Sequence, residues 1–171
     1  MAAAYQEIVK QVLNQFGKVS NTEERDKEGF IKYSLSYGNP CHSLKMNVSV
    51  SEKSKIIRIV TCLAEGIPEN RHREIYKLIN DLQNEWLYMR IYMTNENDLV
   101  AEYQMMLYQP KGRESVNGFI ENLQSVFRFA TNITMNYAEC VQNILKQGAV
   151  GSKTSLKLSQ IRLNPFWEAP L

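Results

Sequence analysis

Apolar residues in this chain switch from helical spacing to strict alternation and back, and each switch marks an element. Tyr5, Ile8, Val12, Leu13 and Phe16 fall at helical spacing with Gln6, Lys10, Gln11 and Asn14 between them, which predicts a first helix. Gly17 follows and predicts a stop through a left-handed cap. Residues 20–27 are polar throughout and predict a loop. Ile31, Tyr33, Leu35 and Tyr37 then alternate with Lys32, Ser34 and Ser36 until Gly38-Asn39-Pro40, as a half-buried strand does. Leu44, Met46, Val48 and Val50 repeat the pattern, and a charged turn at residues 51–54 leads to a third run at residues 56–63. The three runs predict an antiparallel meander.

The most informative stretch is residues 75–107, where the apolar period changes from about four to two. After Gly66-Ile67-Pro68, Ile75, Leu78, Ile79, Leu82 and Trp86 share one helical face, and Arg71, Arg73, Lys77, Asp81 and Asn84 lie on the other. Leu87, Met89, Ile91 and Met93 then alternate with Tyr88, Arg90 and Tyr92. Beyond the hinge Asn95-Glu96-Asn97-Asp98, Leu99, Ala101, Tyr103, Met105 and Leu107 alternate with Glu102, Gln104 and Met106. These are a helix feeding a hairpin. Past the turn Gln109-Pro110-Lys111-Gly112, Ser115 is placed to cap a helix carrying Val116, Phe119, Ile120, Leu123, Phe127, Ala130, Tyr137, Val141 and Ile144, closed by Gly148. Such a helix runs to roughly 50 Å at its normal rise, longer than a small domain is wide. It is expected either to bend near Thr131-Asn132 or to project.

The pattern predicts an α+β fold: a five-stranded antiparallel sheet in the order α-β-β-β-α-β-β-α, packed with helices, as one domain over residues 1–148. Residues 149–171 form a tail. Its Leu156, Leu158, Ile161, Leu163, Phe166 and Trp167 are richer in apolar groups than a disordered segment should be. They are expected to dock, on their own domain or on a second copy.

Composition narrows the function by exclusion. In 171 residues, 20 lysines and arginines face 18 aspartates and glutamates, scattered without a basic block, which argues against nucleic acid as partner. The three cysteines, Cys41, Cys62 and Cys140, are far apart and lack CxxC spacing, as expected of reduced thiols in a cytoplasmic protein. No apolar run approaches the roughly 18 to 20 residues that span a bilayer, and the N-terminus has no signal-type pattern. A soluble, intracellular protein with no membrane contact is expected.

Ile79-Asn80-Asp81-Leu82-Gln83-Asn84-Glu85-Trp86, the hairpin through Arg90, Tyr92 and Val100-Ala101-Glu102, and the long closing helix together resemble the YbjN family, a bacterial family whose fold is like that of type III secretion chaperones. The resemblance covers about residues 5–147. The family pattern carries an asparagine at the place of Asn80 and usually another three residues on, where this chain has Gln83. The resemblance implies a noncatalytic regulatory domain with a chaperone-like or adaptor role.

No catalytic centre is legible. Cys41-His42 lies at a turn where sequence neighbours seldom reach the geometry that activates a thiol, and His72, the other of two histidines, sits among arginines on a helix face read as solvated. No cofactor and no metal site is expected, since no cluster has zinc spacing and residues 95–98 are too short for a calcium loop. Asn80, Asn84 and Glu85, near a helix end, are read as satisfying backbone groups sooner than as recognition groups. The best candidate is the sheet's second face, where alternation places Tyr88, Arg90, Tyr92, Gln104, Met106 and Tyr108 outward beside Glu102. Tyrosine, methionine and arginine give large contact area with a polar handle. The competing reading is that the second helix or the tail covers this face. The leading function is a noncatalytic protein-binding domain, a chaperone, adaptor or regulator taking a protein or peptide partner, with a homodimer as a variant. The alternative is a small-molecule sensor or unrecognised enzyme with a tyrosine-lined pocket between sheet and helices.

Overall fold

The computed structural model describes residues 5–25, 29–39, 42–85, 89–107 and 113–147. The fold is α+β, with three helices packed on a six-stranded antiparallel sheet. Helix α1 (Tyr5–Leu13) leads into β1 (Lys18–Arg25), β2 (Ile31–Asn39), β3 (His42–Ser51) and β4 (Ile56–Ala64). A single 3-10 turn (Glu69–Arg71) then opens α2 (His72–Glu85), and β5 (Arg90–Met93), β6 (Leu99–Met106) and α3 (Arg113–Gln147) complete the chain. The strand order is β1-β2-β3-β4-β6-β5, so the β5–β6 hairpin joins the meander through its second strand.

Strand β1 corrects the sequence reading, which made residues 20–27 a loop and counted five strands. An edge strand pairs through its backbone on one side only and has no need of an apolar alternation. Here Val19, opposite Leu35, packs against the core. Gly17 is also corrected. Helix α1 ends by tightening, with the amides of Gln15 and Phe16 donating to the carbonyls of Val12 and Leu13 at 3.0 and 2.9 Å, and Gly17 is not in the left-handed region. Its requirement for glycine is steric, because a Cβ there would lie 2.4 Å from the Ser36 carbonyl oxygen.

The core lies on one face of the sheet. Tyr33, Leu35, Met46, Val48, Ile57 and Ile59 meet Val9 and Leu13 of α1, Ile75 and Leu82 of α2, and Phe119 and Phe127 of α3 in one cluster. The hydroxyls of Tyr33 and Tyr37 are satisfied within this apolar volume. The Tyr33 hydroxyl donates to the Gln6 carbonyl at 3.1 Å, and that of Tyr37 shares a short hydrogen bond with Thr134 of α3. Thr134 in turn donates to the Ala130 carbonyl at 2.6 Å.

Helix α3 is continuous and does not project. Its buried residues run from Phe119 to Ile144, a contact length of about 38 Å at 1.5 Å per residue, so the helix spans the layer it covers. Arg71 donates to the Ile144 carbonyl and pairs with Glu74 at 2.9 Å, fastening the C-terminal turn of α3 to the start of α2. The β5–β6 turn is anchored too: Asn97 adopts a φ of 63°, its carbonyl accepts the Ile67 amide at 2.8 Å, and the Asp98 carboxylate accepts the Gly66 amide at 2.8 Å. No described helix is long and apolar enough to cross a membrane.

Candidate functional site

Because the buried residues of all three helices join the inward-facing strand residues, the opposite face of the sheet takes its character from the alternate positions. Antiparallel register sorts these positions into rows. Ser34, Asn47, Val60, Glu102 and Arg90 lie side by side across β2, β3, β4, β6 and β5, and the next row holds Lys32, Ser49, Arg58 and Gln104. The β1–β3 half is a serine, lysine and asparagine surface, with a 2.7 Å hydrogen bond from Ser34 to Asn47. The β4–β6–β5 half is different in kind.

There Glu102, only 8% exposed, collects its neighbours. Arg58, diagonal to it, donates twice, from Nε to Oε1 at 2.6 Å and from Nη2 to Oε2 at 3.0 Å. The Tyr92 hydroxyl donates to Oε2 at 2.9 Å and Gln104 Nε2 to Oε1 at 3.0 Å. Hydrogen bonding from the Arg58 guanidinium holds the Glu102 carboxyl below the ordinary glutamate value against the opposing effect of burial, with the Tyr92 hydroxyl helping. The same carboxylate raises Arg58, and burial first and Glu102 second raise Tyr92. Arg90 stacks its guanidinium over the Tyr92 ring, 5.2 Å from the centroid. Val100, opposite both Cys62 and Tyr92, is buried on this face, outside the main core. Met106 closes the patch and is 71% exposed.

Four of the six residues singled out from the sequence, Arg90, Tyr92, Gln104 and Met106, thus share one face; Tyr88 and Tyr108 lie outside the described residues. So do the tail positions Leu156, Leu158, Ile161, Leu163, Phe166 and Trp167, and Cys41. Two residues that organise the patch were not singled out. Arg58 interrupts the apolar run Ile56-Ile57-Arg58-Ile59 at an outward position, a legible signal. Glu102 was read only as a neighbour, because its burial depends on the β4–β6 register.

The edge of this half is closed. Gln83 of α2 donates through Nε2 to the Ile91 carbonyl of β5 at 2.8 Å, occupying an acceptor on the outer edge of the sheet. The longer glutamine, standing where the resembling pattern usually has asparagine, makes that bond.

What the patch offers chemically is apolar contact around polar groups that are bonded to one another. Among the described residues, no group of three or more His, Cys, Asp or Glu is placed to hold a metal ion. His72, expected on a solvated face, is half-buried and bonds the Ile67 carbonyl at 3.0 Å, its ring edge-on to Tyr76. Burial, then Asp98 and Glu65, push the Cys62 thiol up, away from the reactive thiolate. Tyr33 and Tyr37, on the helix side of the sheet, spend their hydroxyls on protein partners.

A family model described as "T3SS (YopN, CesT) and YbjN peptide-binding chaperone 1" matches residues 3–127. No curated protein matches the chain. The matched segment includes all six strands and the whole candidate patch, and it covers most of the sequence. The chain therefore belongs to this family of peptide-binding chaperones.

Proposed function

We propose, from membership of a peptide-binding chaperone family, that this chain is a noncatalytic chaperone or adaptor that holds a segment of another polypeptide on the β4–β6–β5 half of its outer sheet face. The observation that carries the reading is the Arg58–Glu102–Tyr92–Gln104 cluster ending in exposed Met106. Its polar groups are paired with one another before any partner arrives. Docking then desolvates few unsatisfied groups, while the Tyr92 ring, Val60, the Arg58 stem and Met106 give apolar contact. Arg58 and Glu102 cancel in charge, and Arg90 supplies a positive rim. A segment with alternating apolar side chains and a carboxylate suits this surface.

The test is site-specific photo-crosslinking in the full chain. A benzophenone side chain replacing Met106 is compared with one replacing Glu121, exposed on α3, in extract of the source cells. Discrete polypeptide adducts from position 106 and not from position 121 are expected. Equal labelling at both positions, or none at 106, refutes the site. A sole adduct with the mass of a second copy makes the partner this chain itself.

A further inference from the structure

The second place where the fold leaves recognition capacity is inside the sheet. The β3–β4 ladder begins at Met46 opposite Thr61 and goes no further toward the other end, although both strands continue. Residues 43 and 44 pair with β2 on their other side, and residues 62 and 64 pair with β6, where the register shifts. A β-bulge of this kind bends a strand and ends its pairing. Here the shift lies in β4 just past the last residue paired with β3. The result is a cleft of about 490 Å³ walled by residues 43–45 and 62–65 and lined by Ala138, Gln142 and Lys146 of α3. Two strand edges face each other across it without being joined.

We propose that the chain's own segment Leu156-Lys157-Leu158 lies in this cleft as a short strand along the β4 edge. Three observations choose this occupant. The last turns of α3 line the cleft, and the described chain stops at Gln147, beside it. Residues 148–155 can extend to roughly 26 Å at about 3.3 Å each, enough to turn back into it. The segment alternates as a strand requires: Leu156 and Leu158 fall on the side of buried Leu44 and Leu63, over Ala138, and Lys157 falls on the other. The charged groups around the cleft are Lys45, Glu65 and Lys146. Glu65 follows the β4 edge, which sets Lys157 nearer to it than pairing with β3, the strand of Lys45, would. A covalently attached strand acts at an effective concentration on the order of millimolar, so a short pairing suffices. The segment lies beyond residue 127, outside the family match, and the inference does not rest on the docking face proposed above.

The test is amide hydrogen exchange, read by mass spectrometry on full-length protein, for peptides covering residues 43–45 and 62–64. Wild type is compared with the double variant Leu156→Asp and Leu158→Asp. Exchange at both edges is expected to rise at least tenfold in the variant, with β2 and the β6 centre unchanged, and an added synthetic peptide of residues 152–165 restores the protection. Equal exchange in the two proteins overturns the proposal. So does protection that fades on dilution of the wild type, because the occupant then comes from a second copy.

Discussion

Replacing Glu102 with glutamine keeps the volume of the side chain and removes its charge from the centre of the outer cluster. An exposed ion pair is worth about 1 kcal/mol or less, whereas breaking one side of a fully buried pair costs about 3 to 5 kcal/mol. Glu102 is buried, but the Arg58 side chain is 44% exposed and regains water when its partner is lost. The cost therefore lies between those limits, at about 2 kcal/mol. With a urea dependence of about 2 kcal/mol per molar, the unfolding midpoint falls by about 1 M. The pH dependence has a definite sign. A carboxyl with a depressed folded-state pKa contributes its full stability above the ordinary glutamate value, about 4.3, and loses it as pH falls through the folded value. The gap between wild type and Glu102→Gln is thus constant at neutral pH and closes on acidification. Urea titrations between pH 7 and pH 3 measure it. A gap under about 0.5 kcal/mol at pH 7, or one that persists undiminished at pH 3, would show that the carboxylate is merely solvated and refute the cluster.

Two further substitutions probe the frame. Gly17→Ala drives a methyl group into the Ser36 carbonyl; separating β1 from β2 to relieve it is expected to cost about 2 kcal/mol or more and to lower the melting temperature by several degrees, whereas an unchanged melt would mean that the chain yields there freely. For the Tyr37–Thr134 pair, Thr134→Val leaves the buried Tyr37 hydroxyl only its longer contact to Thr61 at 3.5 Å and costs about 1 to 3 kcal/mol, Tyr37→Phe, after which Thr134 still donates to the Ala130 carbonyl, costs about 1 kcal/mol, and the double variant costs less than the sum. Burial raises the Tyr37 pKa, so its stabilisation is complete below the ordinary tyrosine value, about 10, and declines above it. Melts between pH 8 and pH 11 should therefore show wild type losing more stability than Tyr37→Phe, and parallel losses would contradict the assignment.

The sequence patterns locate elements that bury a face and miss those that do not. Tyr33-Ser34-Leu35-Ser36-Tyr37 announces β2 because one side must be apolar. Lys18–Arg25 announces nothing, because an edge strand with solvent beside it gets its order from the backbone of β2. The same limit explains the patch. Alternation told which of Arg90, Tyr92, Gln104 and Met106 point outward, since that needs only the local period. It could not tell that Arg58 reaches Glu102 across forty-four positions, because that depends on which residue of β6 stands opposite which residue of β4. Length alone left α3 as a bent or projecting helix; that its C-terminal turns are held down depends on the Arg71 bond to the Ile144 carbonyl, a contact across seventy-three positions that no local period shows.

How the sheet's borders are managed bears on where a partner is recognised. The outer edge of β5 is four residues long and has its Ile91 carbonyl taken by Gln83. At the other border, β1 loses register between Thr22 and Arg25. Short length, irregular register and side-chain capping are devices that discourage a foreign strand from adding to an edge. With both outer edges blunted among the described residues, the proposed recognition of another polypeptide would use side chains on the outer face, and the proposed backbone pairing would use the internal cleft beside α3. On these two proposals, side-chain recognition would respond to substitution of Tyr92, Arg58 and Met106, and backbone pairing to substitution of Leu156 and Leu158. A client that crosslinks at position 106 in the Leu156→Asp and Leu158→Asp variant as it does in wild type would establish that the two surfaces act independently. A client lost on that substitution would make the cleft part of the binding site.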